Sequence, residues 1–165
     1  MVETRADLSE LTLLGDDIEY LRTAFEQGTQ WNDIIPFISM EVDKVFTTEG
    51  YGRWEKLSDT YFVWKAQNYP DQDILRLTDR YYSAATQRGH SNNIIETTPT
   101  SLFYGVKDID YASYHERGTK DLPVRPVFEL LATSEPFLQE LESIFQKSIN
   151  DLVDNIFMRR VSRSG

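Results

Sequence analysis

The chain contains no cysteine. That absence removes disulfides, thiolate metal sites and cysteine nucleophiles together, and a reducing compartment is the natural setting for such a chain. Histidine is scarce as well: His90 and His115 are the two present. They do not sit one helical turn apart and no HExxH occurs, so zinc has no ligand set. A basic excess is also missing. Lys and Arg number 17 against 27 Asp and Glu, for a net charge of −10. Nucleic-acid binding works by releasing counterions to Lys and Arg, so an acidic chain is a poor partner for phosphate backbones. No run approaches the ~20 apolar residues of a membrane span. No basic start leads into an apolar stretch, so no signal peptide is expected. There is no GxGxxG or Walker loop to cradle a nucleotide, and no GxSxG or SxxK to supply an activated serine.

What is present is a folding chain. Its 165 residues suit one domain with one sizeable core. Nine Phe, nine Tyr and three Trp supply large apolar surfaces for that core. We read residues 1–158 as a single domain. We read 159–165, "RRVSRSG", as a basic flexible tail. Neither internal repeats nor low-complexity segments occur. Charge is unevenly spread: residues 1–50 hold eleven acids against three bases, whereas 51–133 hold eleven against ten. The acidic start is a solvated face that aids solubility, or a wall that repels DNA.

Hydrophobic spacing predicts the elements. "LSELTLL", Leu8–Leu14, reads as a short strand or a helical turn broken by Gly15. Asp16 or Asp17 then caps a helix to about Gln27, which Gly28 ends. A second helix should run from Asp33 to Thr47, with Ile34, Ile35, Ile38, Val42, Val45 and Phe46 on one face. Pro36 falls in its first turn, where amides lack intrahelical partners. "EGYGRWEKLS" is a loop. Ser58 caps a short helix carrying Tyr61, Phe62, Trp64 and Lys65, with Pro70 beyond its end. Thr78 caps another, "DRYYSAAT". "NIIET" and "SLFYGVK" form a β-hairpin, and "VRPVFELL" reads as a further edge strand. Ser134 opens the longest helix. Leu138, Leu141, Phe145, Ile149, Leu152 and Ile156 line one face of it, and Phe137, Ile144 and Val153 widen that face. So broad a stripe either lies buried in the chain's own core or meets both the core and a partner.

Catalytic chemistry has thin support. "DQD" at 71–73 and "DID" at 108–110 start like calcium loops but lack the Gly and terminal Glu of an EF-hand. Asp110, Tyr111, Tyr114 and His115 bring an acid near a histidine, as general base catalysis requires. Without a nucleophile, an aromatic-rich turn with one His reads better as a packed corner. Arg53, Lys56, Lys65, Arg76, Arg80 and Arg88 interleave with Trp and Tyr, a pattern that serves nucleic-acid stacking. Acids match these bases almost one for one, and exposed Arg and aromatic side chains suit a protein interface equally.

Taken in order, four segments resemble the virion-morphogenesis, or tail-completion, family of tailed bacteriophages. Gly50, Gly52, Trp54 and Leu57 match its glycine-rich loop leading to Trp and Leu. Ile74, Leu75 and Thr78 match the first half of its "Ile-Leu-x-x-Thr-Gly-x-Leu-x-x-Ser" segment. Tyr111, Ala112, His115 and Gly118 match its "Tyr-Ala-x-x-His-x-x-Gly" segment in full. Arg125, Pro126 and Phe128 match its "Arg-Pro-Phe" segment, with Val127 inserted. Asp79 stands where the family has Gly, Tyr81 where it has Leu, and Ser83 falls one place early. The resemblance spans roughly residues 5–157, with its motifs confined to 50–128.

The resemblance implies an α+β fold, with a small antiparallel sheet against two long helices plus short ones. It implies no catalysis and no cofactor or metal. It implies a structural virion protein, made in the host cytoplasm, at the head–tail junction. There a homo-oligomeric ring, hexameric by the resemblance, joins tail to head as a neck or tail-completion connector, against neighbouring neck, portal-side and tail proteins. DNA passes its lumen without specific binding, and no membrane is involved. The alternative within that class is a tail-tube terminator. Outside it stand a nucleic-acid-binding module and a small hydrolase using His115 with Asp110. Trp54, Tyr111, Tyr114, His115 and Arg125 become structural-corner or interface candidates, with Arg125 and Pro126 opening the next strand. Asp16, Asp17 and Glu19 become candidates for lining the DNA channel, since carboxylates there repel phosphates and ease sliding.

Overall fold

The computed structural model describes residues 8–70 and 72–163. Among them are seven α-helices and one two-stranded antiparallel sheet, an α+β fold. The helices are α1 (Leu8–Glu26), α2 (Ile34–Thr47), α3 (Asp59–Asn68), α4 (Arg80–Thr86), α5 (Ala112–Arg117), α6 (Phe128–Ala132) and α7 (Glu135–Arg163). A 3-10 turn, Thr29–Trp31, joins α1 to α2. The strands are β1 (Asn93–Thr97) and β2 (Leu102–Val106), in register from Asn93 opposite Val106 to Thr97 opposite Leu102. None of the described helices is long and apolar enough to cross a membrane.

Helix α2 is the centre. Its apolar face follows the expected spacing, and Val42, Val45 and Phe46 are completely buried. Phe46 meets three rings edge-on: Trp54 at 6.1 Å, Tyr81 at 5.2 Å and Tyr82 at 5.5 Å between centroids. Burying one such side chain contributes about 1.5–3 kcal/mol, and the edge-on geometry suits the ring quadrupoles. Asp33 occupies the N-cap and Pro36 lies in the first turn, as the sequence predicts. The hairpin lies on α4, where Tyr104 donates to the Ala85 carbonyl at 2.9 Å and Asn93 to the Ala84 carbonyl at 2.8 Å.

Helices α1 and α7 form the outer layer. Two corrections fall here. Helix α1 runs from Leu8 straight through Gly15, so Asp16 and Asp17 are helix-interior residues and not caps. A Cβ at Gly15 would meet nothing within 4 Å, so the position is open to solvent. Its cost of about 1 kcal/mol does not break a helix held by tertiary packing. The supposed tail is also helical: α7 continues to Arg163, past the expected boundary at 158. Arg160 reaches back to Asp17, with Nε donating to Oδ2 at 2.6 Å. Arg159 lies over the Tyr20 ring, 3.9 Å from its centroid. Residues 164 and 165 lie outside the described residues. The α7 stripe is divided. Leu152 and Ile156 are buried, while Leu138 near its start and Val153, Phe157 and Val161 further along are exposed.

Further corrections concern capping and the last expected strand. The N-cap of α4 is Asp79, not Thr78. "VRPVFELL" forms no strand; Phe128–Ala132 is helix α6. Arg125 and Pro126 therefore lead into a helix. The cause is a carboxylate from elsewhere in the chain, described next.

Candidate functional site

Three of the four segments singled out by resemblance meet at one hub, and the second lies beside it, with Ile74 in the same buried cluster as Trp54. Trp54 is buried, and its indole N–H donates to the Pro126 carbonyl at 3.0 Å. Arg125, also buried, donates from Nε to the Glu55 carbonyl at 2.9 Å and from Nη2 to the Lys56 carbonyl at 3.2 Å. Its own backbone N–H donates to the His115 carbonyl at 2.8 Å. One residue thus ties the glycine-rich loop to α5. Tyr111 meets Tyr81 edge-on at 6.2 Å and His115 at 6.0 Å. Tyr114 is half exposed and stands outside this packing.

Glu116 closes the hub. Its Oε1 accepts from the Tyr81 hydroxyl at 3.1 Å, the Val127 amide at 2.9 Å and the Phe128 amide at 3.1 Å. Its Oε2 accepts from the Glu129 amide at 3.2 Å. These are the orphan donors at the start of α6, so one carboxylate caps that helix from α5. Burial, followed by the Glu116 charge, pushes the Tyr81 hydroxyl far above its ordinary value and keeps it a neutral donor. Sequence reading missed Glu116 because nothing local marks it: its partners are supplied by the fold.

Asp79, where the family pattern has Gly, adopts φ 53° and ψ 5°. That left-handed region is one Gly enters without steric cost. Here Arg76 braces the aspartate, with Nε on Oδ1 at 2.9 Å, and stacks over Tyr82 at 4.0 Å.

Beside the hub lies a cleft of about 610 Å3, between α3 and the loop before Arg125. Helix α3 is turned inside out. Tyr61, Phe62, Val63 and Trp64 are exposed, and Lys65 is its buried residue. The Lys65 ammonium donates to the Asp73 carbonyl. Burial lowers its pKa, while the charges of Asp73 and Glu49 oppose the shift. No sequence signal marked Lys65 as interior, because its acceptor is a main-chain carbonyl. His115 also lines the cleft, and its Nδ1 is buried without a hydrogen-bond partner. Asp110 is exposed and makes no hydrogen bond to that ring. No group of three or more His, Asp or Glu side chains among the described residues is placed to hold a metal.

The His115 environment sets a pH dependence. Burial, then the nearby Arg125 charge, lowers its pKa from 6.5, with Glu116 opposing. The unfolded chain therefore takes up that proton first as pH falls. This part of the stability is intact above pH 6.5 and is lost as pH falls through the lowered folded value. Urea unfolding between pH 7.5 and 5 should show a smaller acid-side loss for His115→Gln than for the parent chain. An identical slope in both would remove His115 from the effect.

The channel-lining candidates separate. Asp17 is buried and paired with Arg160, so it faces α7 and not a lumen. That correction follows from the helical course of the supposed tail. Glu19 is exposed and pairs with Arg22 at 2.5 Å, and Asp16 is exposed on the same helix.

Comparison with protein-family models, with curated proteins and with solved structures yields no match for this chain.

Proposed function

We propose that this chain is a structural virion protein of a tailed-phage head–tail junction, a neck or tail-completion subunit that joins tail to head around the DNA channel. The observation that carries the reading is the convergence of the family-like segments. Trp54, the pair Tyr111 and His115, and the pair Arg125 and Pro126 come from separate segments, yet they meet at one hub through main-chain carbonyls and ring contacts, while Glu116 ties Tyr81 to the start of α6. The residues of the resemblance thus act as a structural corner. The left-handed Asp79, at a position the pattern gives to Gly, points the same way.

A ring subunit needs two different sticky faces, since head-to-tail contacts pair unlike surfaces. Exposed Tyr61, Phe62, Val63 and Trp64 on α3 supply one, and Phe157, Met158 and Val161 on α7 supply another. A homo-oligomeric ring within the virion follows from this reading, with DNA sliding past exposed carboxylates such as Asp16 and Glu19.

Electron microscopy of lysates from a phage lacking the gene tests it. Full heads beside finished, unattached tails are expected. Tails of uncontrolled length would transfer the chain to the tail-terminator role. Normal infectious particles would overturn the assembly reading.

A further inference from the structure

The cleft beside the hub has a charged floor and apolar walls. Lys65 and Arg125, each 5% exposed, both line it. Among the described residues, every acceptor they meet is a main-chain carbonyl: that of Asp73 for Lys65, and those of Glu55 and Lys56 for Arg125. Neither enters an ion pair among the described residues. Protons remain on both groups that no atom of the described residues accepts. Buried cations in proteins are ordinarily paired, because leaving water costs far more than a carbonyl contact returns. Glu49 and Asp73 act on Lys65 only from beyond ion-pair distance.

The rest of the lining narrows the missing partner. His115 presents a buried, unpartnered Nδ1. Ser58, at the start of α3, and Thr78 add hydroxyls, while Leu57, Leu77, Leu122 and Pro123 make the walls apolar. On the lining itself, Lys56, Lys65 and Arg125 face Glu55 and Asp121. Asp73, Glu49 and Asp79 also act on Lys65, so the floor holds little net positive charge, which suits a singly charged anion better than a doubly charged phosphate.

We propose that this cleft binds a carboxylate carried on an apolar body, with the carboxylate on Lys65 and Arg125 and the body between Leu57, Leu77, Leu122 and Pro123. Two sources share that chemistry: a small hydrophobic acid, and the free C-terminus of another chain ending in an apolar residue. The site stands independently of the virion reading, since it rests on the cleft alone.

N-acetyl-leucine is the probe, titrated into the full chain and followed by NMR at the His115 ring and the Arg125 Nε. Saturable shifts are expected, with at least tenfold weaker binding by N-acetyl-leucinamide, which has the body without the charge. Lys65→Met should abolish the shifts while near-UV circular dichroism stays native. Leu122→Glu, at an exposed rim position, should abolish them without touching the floor. Tenfold tighter binding of Ac-Ala-Ala-Ala-Leu than of N-acetyl-leucine assigns the site to a chain terminus, and equal binding assigns it to a small acid. Either result supports the site. Equal binding of the amide, equal binding of inorganic phosphate, or no saturable shift with any probe would each overturn the proposal.

Discussion

Glu116→Ala should lower the unfolding free energy by about 3–5 kcal/mol, because one carboxylate serves four donors at the hub. The substitution leaves the Tyr81 hydroxyl, on a side chain 1% exposed, without its acceptor. It also strips α6 of the group that accepts its first amides. Hydrogen bonds to a charged group contribute about 1.5–3 kcal/mol each, but those sharing one oxygen do not add. The expected loss therefore falls below the simple sum, which would be about 6–12 kcal/mol. Glu116→Gln keeps one good acceptor and should lose about half as much. Tyr81→Phe removes only the hydroxyl and should cost about 1 kcal/mol. Urea midpoints for these variants, together with the Glu116→Ala, Tyr81→Phe double variant, check the arrangement. Strict additivity in that cycle would mean that the two side chains do not interact.

Gly50→Ala should cost about 2–4 kcal/mol, and Gly52→Ala only about 1 kcal/mol. Both glycines have left-handed backbones, at φ 68° and 72°. They lie in a run of four residues with positive φ, from Glu49 to Gly52. The backbone penalty for a Cβ is therefore shared. The difference lies in what the Cβ meets. At Gly52 there is nothing within 4 Å, whereas at Gly50 it would lie 2.4 Å from Cδ1 and Nε1 of Trp54. The indole must then leave its place, and with it go the bond to the Pro126 carbonyl and the edge contact on Phe46. At this chain length each 1 kcal/mol moves the melting temperature by about 2–4 °C. The paired variants should therefore separate clearly in a thermal scan. Equal melting temperatures would mean that the Trp54 slot is loose.

Elements carried by local chemistry were legible in the sequence. Helix α2 could be read from its apolar steps, the hairpin from its β-rich runs, and the starts of α3 and α7 from their serines. Elements decided by distant partners were not. "VRPVFELL" has the composition of a strand, and becomes a helix where Glu116 accepts its first amides. Gly15 looks like a break until α7 is placed alongside α1. Asp17 looks like a surface acid until Arg160 arrives from far along the chain. At the hub, Trp54, Tyr111, His115 and Arg125 were named from sequence and do converge. Glu116 was not, and Lys65 was read as one of the middle-region bases and not as an interior residue, because their roles depend on groups that only the fold brings together.

The Asp17–Arg160 contact has a bearing on how the protein is made. It joins positions 143 residues apart, among the longest separations this chain offers. During translation α1 emerges early, and the side of it that α7 will cover has no cover until residue 160 has been added. The outer layer is therefore completed only after residue 160 has been made, while α2 and its aromatic neighbours can assemble beforehand. A chain interrupted before residue 160 has its centre built and the flank of α1 bare, a form suited to capture by chaperones.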